Sequence, residues 1–216
     1  MAAKKATKAK APRKSQSPIA DRIIEASMKI ASEQGWQSLT LNQIADTIGE
    51  PLGAVIGVYP TTDRIASALF HRIDQQVLSQ VDGVDESETA RDRLFEILMM
   101  RFDALQERRT LYVSIVHHMR RRPAALMLRA PAVVHSMALM LIASGIEASS
   151  VIGMARAHVL AAAYGTLLRT WLKDDSPDMA QTMSAVDRVL NRLESAQRMV
   201  CRFQSKEKDS EDHAGG

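Results

Sequence analysis

The chain has 216 residues, 46% of them apolar and 4% aromatic, with 28 Lys and Arg against 25 Asp and Glu for a formal net charge of +3. That is enough apolar material for a core packed with Leu, Ile, Val, Ala and Met, which excludes a wholly disordered or fibrous chain. The single cysteine, Cys201, excludes an intramolecular disulfide and fits a reducing cytoplasm; no apolar run is expected to reach the roughly 18 residues of a membrane-crossing helix, and no signal-peptide core is found.

Residues 1–17 carry Lys4, Lys5, Lys8, Lys10, Arg13 and Lys14, with no acid before Asp21. With little to bury, they are expected to form a disordered basic tail, either following DNA phosphates or merely solubilising the chain. Ser17 and Pro18 then read as N-cap and first residue of a helix. Ile19, Ile23, Ala26, Ile30 and Ala31 form its inner face, and Gly35 ends it. Trp36 is read as a core residue.

The stretch Thr40 to Tyr59 reads as two short helices around a tight turn. Thr40 and Gln43 have the spacing of a capping box. Leu41, Ile44, Ala45 and Ile48 form one apolar face, Gly49 provides the stop, and Pro51 suits the first turn of the second helix. Val55 and Ile56 are placed to pack back on the first. This is the pattern of a helix-turn-helix, whose second helix can enter a DNA major groove. Pro60 to Asp63 form a turn and a new cap, and a helix runs to about Gln80 with Ile65, Leu69, Ile73, Val77 and Leu78 inward.

The acidic stretch Val81 to Glu88 reads as a linker, so the domains are expected at 18–80 and 90–202. In the second, a helix from Ala90 places Leu94, Ile97, Leu98, Arg101 and Leu105 in register, and another spans Thr110 to Arg121. The arginines before Pro123 suit a helix C-terminus. Pro131 is expected to begin an apolar helix ended by Gly145. A long helix from about Ser149 to Lys173 carries Ala161 to Ala163 and Gly165, small residues that permit close helix approach. Ser176, Pro177 and Asp178 are expected to cap the last helix. Residues 203–216 form a charged tail expected to be disordered. With no strand alternation and no repeat, the prediction is an all-α protein of about nine helices.

Residues 18–80 resemble the N-terminal domain of the TetR family of bacterial regulators, through ADRIIEASMKIASEQGW, SLTLNQIADTIGEPLGAVIGVYP and TTDRIASAL. The resemblance implies an all-α homodimer joined through its last two helices, binding double-stranded DNA under the control of a small molecule. At the start of the second helix-turn-helix helix, where the family commonly has a small polar residue and then Lys-Gly, this chain has Pro51, Leu52 and Gly53. Ile56 stands where the family has a phosphate-reaching tyrosine, and Thr62 replaces its capping lysine. The resemblance therefore implies a DNA face of Thr40, Asn42, Gln43, Leu52, Gly53, Tyr59, Thr61 and Thr62, helped by Arg64 and the basic tail. Met137, Met140, His158, Tyr164 and Trp171 are the candidate lining of an apolar pocket for a hydrophobic small-molecule effector. A second resemblance, of VLAAAYGTLLRTWLKDDSPDMAQTMSAVDRVLNRLE to a TetR-like lipid-binding family of ubiquinone biosynthesis, implies an accessory protein without specific DNA binding.

Catalytic chemistry is not expected. The chain has no phosphate-binding glycine loop, nucleophile elbow or metal-spaced cysteine and histidine set, so no enzyme activity, cofactor or metal is predicted. His117 and His118 are adjacent and point about 100° apart on a helix. His135 and His158 are read mainly as core residues.

Overall fold

The computed structural model describes residues 18–195 apart from 82 and 84–86, with only the backbone of 123–126 and 128. Both terminal tails, Ser17 and Cys201 lie outside the described residues, which form helices and turns and no strand. They divide into two compact units, Met1–Ile65 and Ala66–Gly216.

The first unit holds α1 (Ile19–Gln34), a 3₁₀ turn (Trp36–Ser38), α2 (Leu41–Ile48) and α3 (Leu52–Val58), and its last residues open α4 (Thr62–Leu78). Pro18 is the N-cap of α1, and Ile23, Ile24, Ala26, Ile30 and Ala31 are buried along it. Trp36, Leu39, Ile44, Ala45 and Val55 complete the core. The periodic apolar positions of three short helices thus converge, which none of them could sustain alone.

The second unit holds the rest of α4, then α5 (Ala90–Gln106), α6 (Arg109–Arg120), α7 (Pro123–Ala143) and α8 (Val151–Trp171). A last helix, α9, begins at residue 180 and continues through 195. The unit division falls inside α4, whereas the composition shift that marked a linker lies at 81–88.

Two expectations are corrected. Pro131 does not begin a helix; α7 starts at Pro123 and runs through it. An internal proline removes the donor to the carbonyl four residues back. That carbonyl belongs to Met127, which is 78% exposed, where water can serve it, while α7 packs along α5, α6 and α8. Secondly, α8 is long and apolar enough by length and composition to cross a membrane, with mean hydropathy 1.4 over its best window. One face, Gly153, Ala157, Leu160, Tyr164, Leu167 and Trp171, is buried. The other exposes Val151, Ile152, Met154 and Val159.

The last helix is held by the Asp174 carboxylate. It accepts hydrogen bonds from the backbone N–H and hydroxyl of Thr182, both 2.7 Å, and from those of Ser176. The Ser176 hydroxyl in turn accepts from the Ala180 N–H at 3.0 Å. Burial opposes the charge on Asp174, but these hydrogen bonds outweigh it and hold its pKa at about 2. The acidic stretch 174–178 therefore reads structurally as a cap.

Candidate nucleic-acid interface and ligand cavity

The helix-turn-helix is fixed by local bonds that its sequence specifies. The Thr40 hydroxyl accepts from the Gln43 N–H at 3.2 Å, and the Gln43 side-chain oxygen accepts from the Thr40 N–H at 2.9 Å, completing a capping box. Gly49 adopts φ 66°, ψ 36°, a left-handed conformation that costs glycine least. Its N–H reaches Asp46 O and the Glu50 N–H reaches Ala45 O, the paired closure of a Schellman turn. Arg22 of α1 binds both Glu50, at 2.7 Å, and the Ile48 carbonyl. One guanidinium thus ties the turn to α1 and satisfies a carbonyl at the end of α2.

On α3, Val55 is buried, while Leu52, Gly53, Ile56 and Gly57 are exposed. Positions 52, 53, 56 and 57 share one face of a 3.6-residue helix. Leu52 is 37% and Ile56 43% exposed, and a Cβ built on Gly53 or Gly57 would meet no atom within 4 Å. The outward face of α3 is therefore apolar, uncharged and narrow. Thr40, Asn42 and Thr61 are exposed around it, and Gln43, Tyr59 and Thr62 are half-buried. Thr40 and Gln43 are engaged in the cap, and the Thr61 hydroxyl accepts from the Arg64 N–H to start α4.

In the second unit, the predicted pocket residues divide between core and surface. Met137, Met140, Tyr164 and Trp171 are buried. The Trp171 indole N–H donates to Gln106 at 3.0 Å, and Arg109 lies 5.0 Å over its ring while binding the Trp171 carbonyl at the end of α8. His158 is exposed, its Nδ1 2.8 Å from Met154 O, and His135 is exposed too, which corrects the reading of both as core residues. An exposed imidazole leaves the α8 core stripe to Ala157 and Leu160.

Tyr164 belongs to a buried polar centre. Arg101 of α5 donates to Asp74 of α4 at 2.9 Å, to Ser136 of α7 at 3.2 Å and to the Tyr164 hydroxyl of α8. Its guanidinium lies 4.6 Å over the Tyr164 ring. Arg101 and Asp74 are 3% and 4% exposed. Nearby, burial pushes the Tyr112 phenol up to about 12, more than neighbouring arginines pull it down, so it stays neutral. The inward register of Arg101 was legible; that it required a buried acid was the signal left unused.

A cavity of about 790 Å³ opens elsewhere in this unit, between the N-terminal end of α5, the α7–α8 corner, α8 and the far end of α9. Leu94, Leu141, Ile146, Leu160, Leu190 and Leu193 form its apolar wall, and Arg91, Glu147, Arg156 and Glu194 also line it. None of the five predicted pocket residues does. Ile152 and Val159, apolar and exposed on α8, stand at its edge. Among the described residues, no group of three or more His, Cys, Asp or Glu could hold a metal ion.

Similarity to solved structures follows this architecture. The chain superposes on a TetR transcriptional regulator from Nitrosomonas europaea at TM-score 0.64 and 18% identity, over 82% of this chain and 98% of that one. A TetR regulator from Rhodococcus sp. RHA1 matches at TM-score 0.59 and 19% identity, over 80% and 95%. The multidrug binding protein EbrR, complexed with imidazole, matches at TM-score 0.53 and 20% identity, over 83% and 96%. No protein-family model matches, and no curated protein does. The chain has the all-α fold of the TetR transcriptional regulators.

Proposed function

We propose that the protein is a TetR-like transcriptional regulator that binds double-stranded DNA in the cytoplasm as a homodimer and answers to a hydrophobic small molecule. The observation that carries this reading is α3: a short helix entered through the Gly49 turn and the Arg22 clamp that close α2, with Val55 buried and its opposite face clear of the rest of its unit. The exposed apolar stripe of α8 and the exposed Met183 of α9 supply a face for a second copy. Two such copies would offer two α3 helices to half-sites about 34–36 Å apart.

The chemistry of α3 limits how it would read bases. It carries no hydrogen-bonding side chain, so direct readout rests on apolar contact of Leu52 and Ile56 with thymine methyl groups. Gly53 and Gly57 let the backbone come close. Phosphate contacts fall to Asn42, Thr61, Thr62, Arg64 and the N-termini of α2 and α4.

Fluorescence anisotropy with DNA from upstream of the protein's own gene, against a scrambled duplex across a salt series, tests the reading. Preference for the native duplex of about 10³-fold or more is expected. Replacing contacted thymines by uracil, which removes only the methyl group, should weaken binding. Equal affinity for both duplexes would overturn the regulator reading and favour a lipid-binding accessory role on the same fold.

A further inference from the structure

The distal cavity of the second unit has a charge pattern that its sequence does not disclose. Of its four charged lining residues, three are already engaged. Arg91 donates to Asp92 at 2.8 Å, to Asn191 at 3.1 Å and to Asp187. The Glu147 carboxylate accepts from the Ser149 and Ser150 N–H groups and from the Ser150 hydroxyl, so it closes the corner into α8. Those bonds hold its pKa below the usual carboxylate range. Glu194 is itself partnered. Arg156, half-buried on α8, is different: its guanidinium makes no hydrogen bond or ion pair among the described residues, and Glu147 feels it only through space.

A planar fork of five donors beside an aliphatic wall is an unfilled requirement for an anion carrying an apolar chain. The volume, about 790 Å³, lies within the range of about 300–1,000 Å³ typical of pockets for small organic ligands. We propose that this cavity binds a single-chain amphipathic anion, with its acidic head on Arg156 and its aliphatic chain against Leu94, Leu141, Leu160 and Leu190. The inference rests on the reading of the second unit as an effector-binding unit and names the class of effector. It also relocates the ligand from the Met137, Met140 and Trp171 core to the end where α5, α8 and α9 meet.

The selectivity follows from the same contacts. A neutral chain of equal length would gain the apolar wall but leave Arg156 without a partner. A charge-assisted hydrogen bond corresponds to about tenfold or more in affinity. Each methylene buried contributes about fourfold, so shortening the chain by two carbons costs on the order of 15-fold.

Isothermal titration calorimetry of the full chain, without DNA, tests this with decanoate, octanoate, decanol and decyl phosphate. Decanoate is expected to bind at least tenfold tighter than decanol, and octanoate about 15-fold weaker than decanoate. Arg156→Gln should bring decanoate down to the affinity of decanol, while Arg156→Lys retains most of the preference. Ala90→Trp, at a half-buried lining position at the start of α5 and away from the exposed α8 stripe, should weaken decanoate and decanol alike and so locate the site. Decyl phosphate distinguishes a phosphate head from a carboxylate one by which binds tighter. No saturable binding of either anion, equal binding of decanoate and decanol, or an unchanged preference in Arg156→Gln would each overturn the proposal. The decanoate-to-decanol ratio is read on the unaltered chain, so it stands even if a variant folds poorly. Because no DNA is present, failure here leaves the anisotropy comparison of native and scrambled duplexes untouched, and the two readings fail separately.

Discussion

Replacing Gly57 with alanine separates what α3 needs for its own stability from what it needs for a partner. Glycine inside a helix costs roughly 0.5–1 kcal/mol relative to alanine, through the backbone freedom lost on folding. The position is helical, and an added Cβ would meet nothing within 4 Å, so no steric term offsets the gain. Gly57→Ala should therefore stabilise the first unit by about 0.5 kcal/mol, the low end of that range, because it lies near the helix end. For a unit of this size 1 kcal/mol corresponds to about 4–8 °C in Tm, so a rise of a few degrees is expected in a circular-dichroism melt. The same methyl would stand between α3 and a groove it must enter. Affinity for the native duplex should fall about tenfold or more, a loss of about 1.4 kcal/mol, while the scrambled duplex is bound as before. A stabilised variant with undiminished operator affinity would show that this face of α3 does not approach DNA. A lowered Tm would refute the packing argument itself.

Other outcomes follow from the second unit. Asp74→Ala leaves Arg101 buried without its carboxylate and should cost about 3–5 kcal/mol in urea unfolding, whereas Asp74→Leu combined with Arg101→Met should restore much of that. Asp174 has a folded pKa of about 2 against the ordinary 3.8 of an aspartate. Its contribution, about 2 kcal/mol, is present above pH 4 and lost as pH falls from about 4 to 2; Asp174→Asn should flatten the acid limb of the stability profile. At Gly153 a Cβ would sit 2.6 Å from the Ala148 backbone. Gly153→Ala should therefore destabilise by about 1–3 kcal/mol in the same unfolding assay, the reverse of Gly57→Ala.

The helix-turn-helix was legible because every signal that builds it is local. The Thr40 and Gln43 cap, the Gly49 stop and the Ile44 and Val55 stripe each act within a few residues. Arg22 joined that set only in three dimensions, since nothing in its spacing points to Glu50. In the second unit, register showed that Met137, Met140, Tyr164 and Trp171 face inward, but an inward face marks core and cavity wall alike. The observed cavity draws on Gly145, Ile146 and Glu147, where helical register ends and periodicity carries no information. Pro131 misled for a related reason: the penalty it imposes depends on whether Met127 lies toward water, which is a tertiary fact.

The Arg101 centre has a consequence for how this chain tolerates change. Helices faced with Leu, Ile, Met and Ala can slide or rotate against one another with little penalty, because aliphatic surfaces interlock in many nearly equivalent ways. A fork with fixed donor directions, shared among α4, α5, α7 and α8, has one arrangement that satisfies it. We expect a substitution scan to show a permissive interior surrounding a single intolerant point, with Asp74, Arg101 and Tyr164 covarying as one unit while their aliphatic neighbours drift.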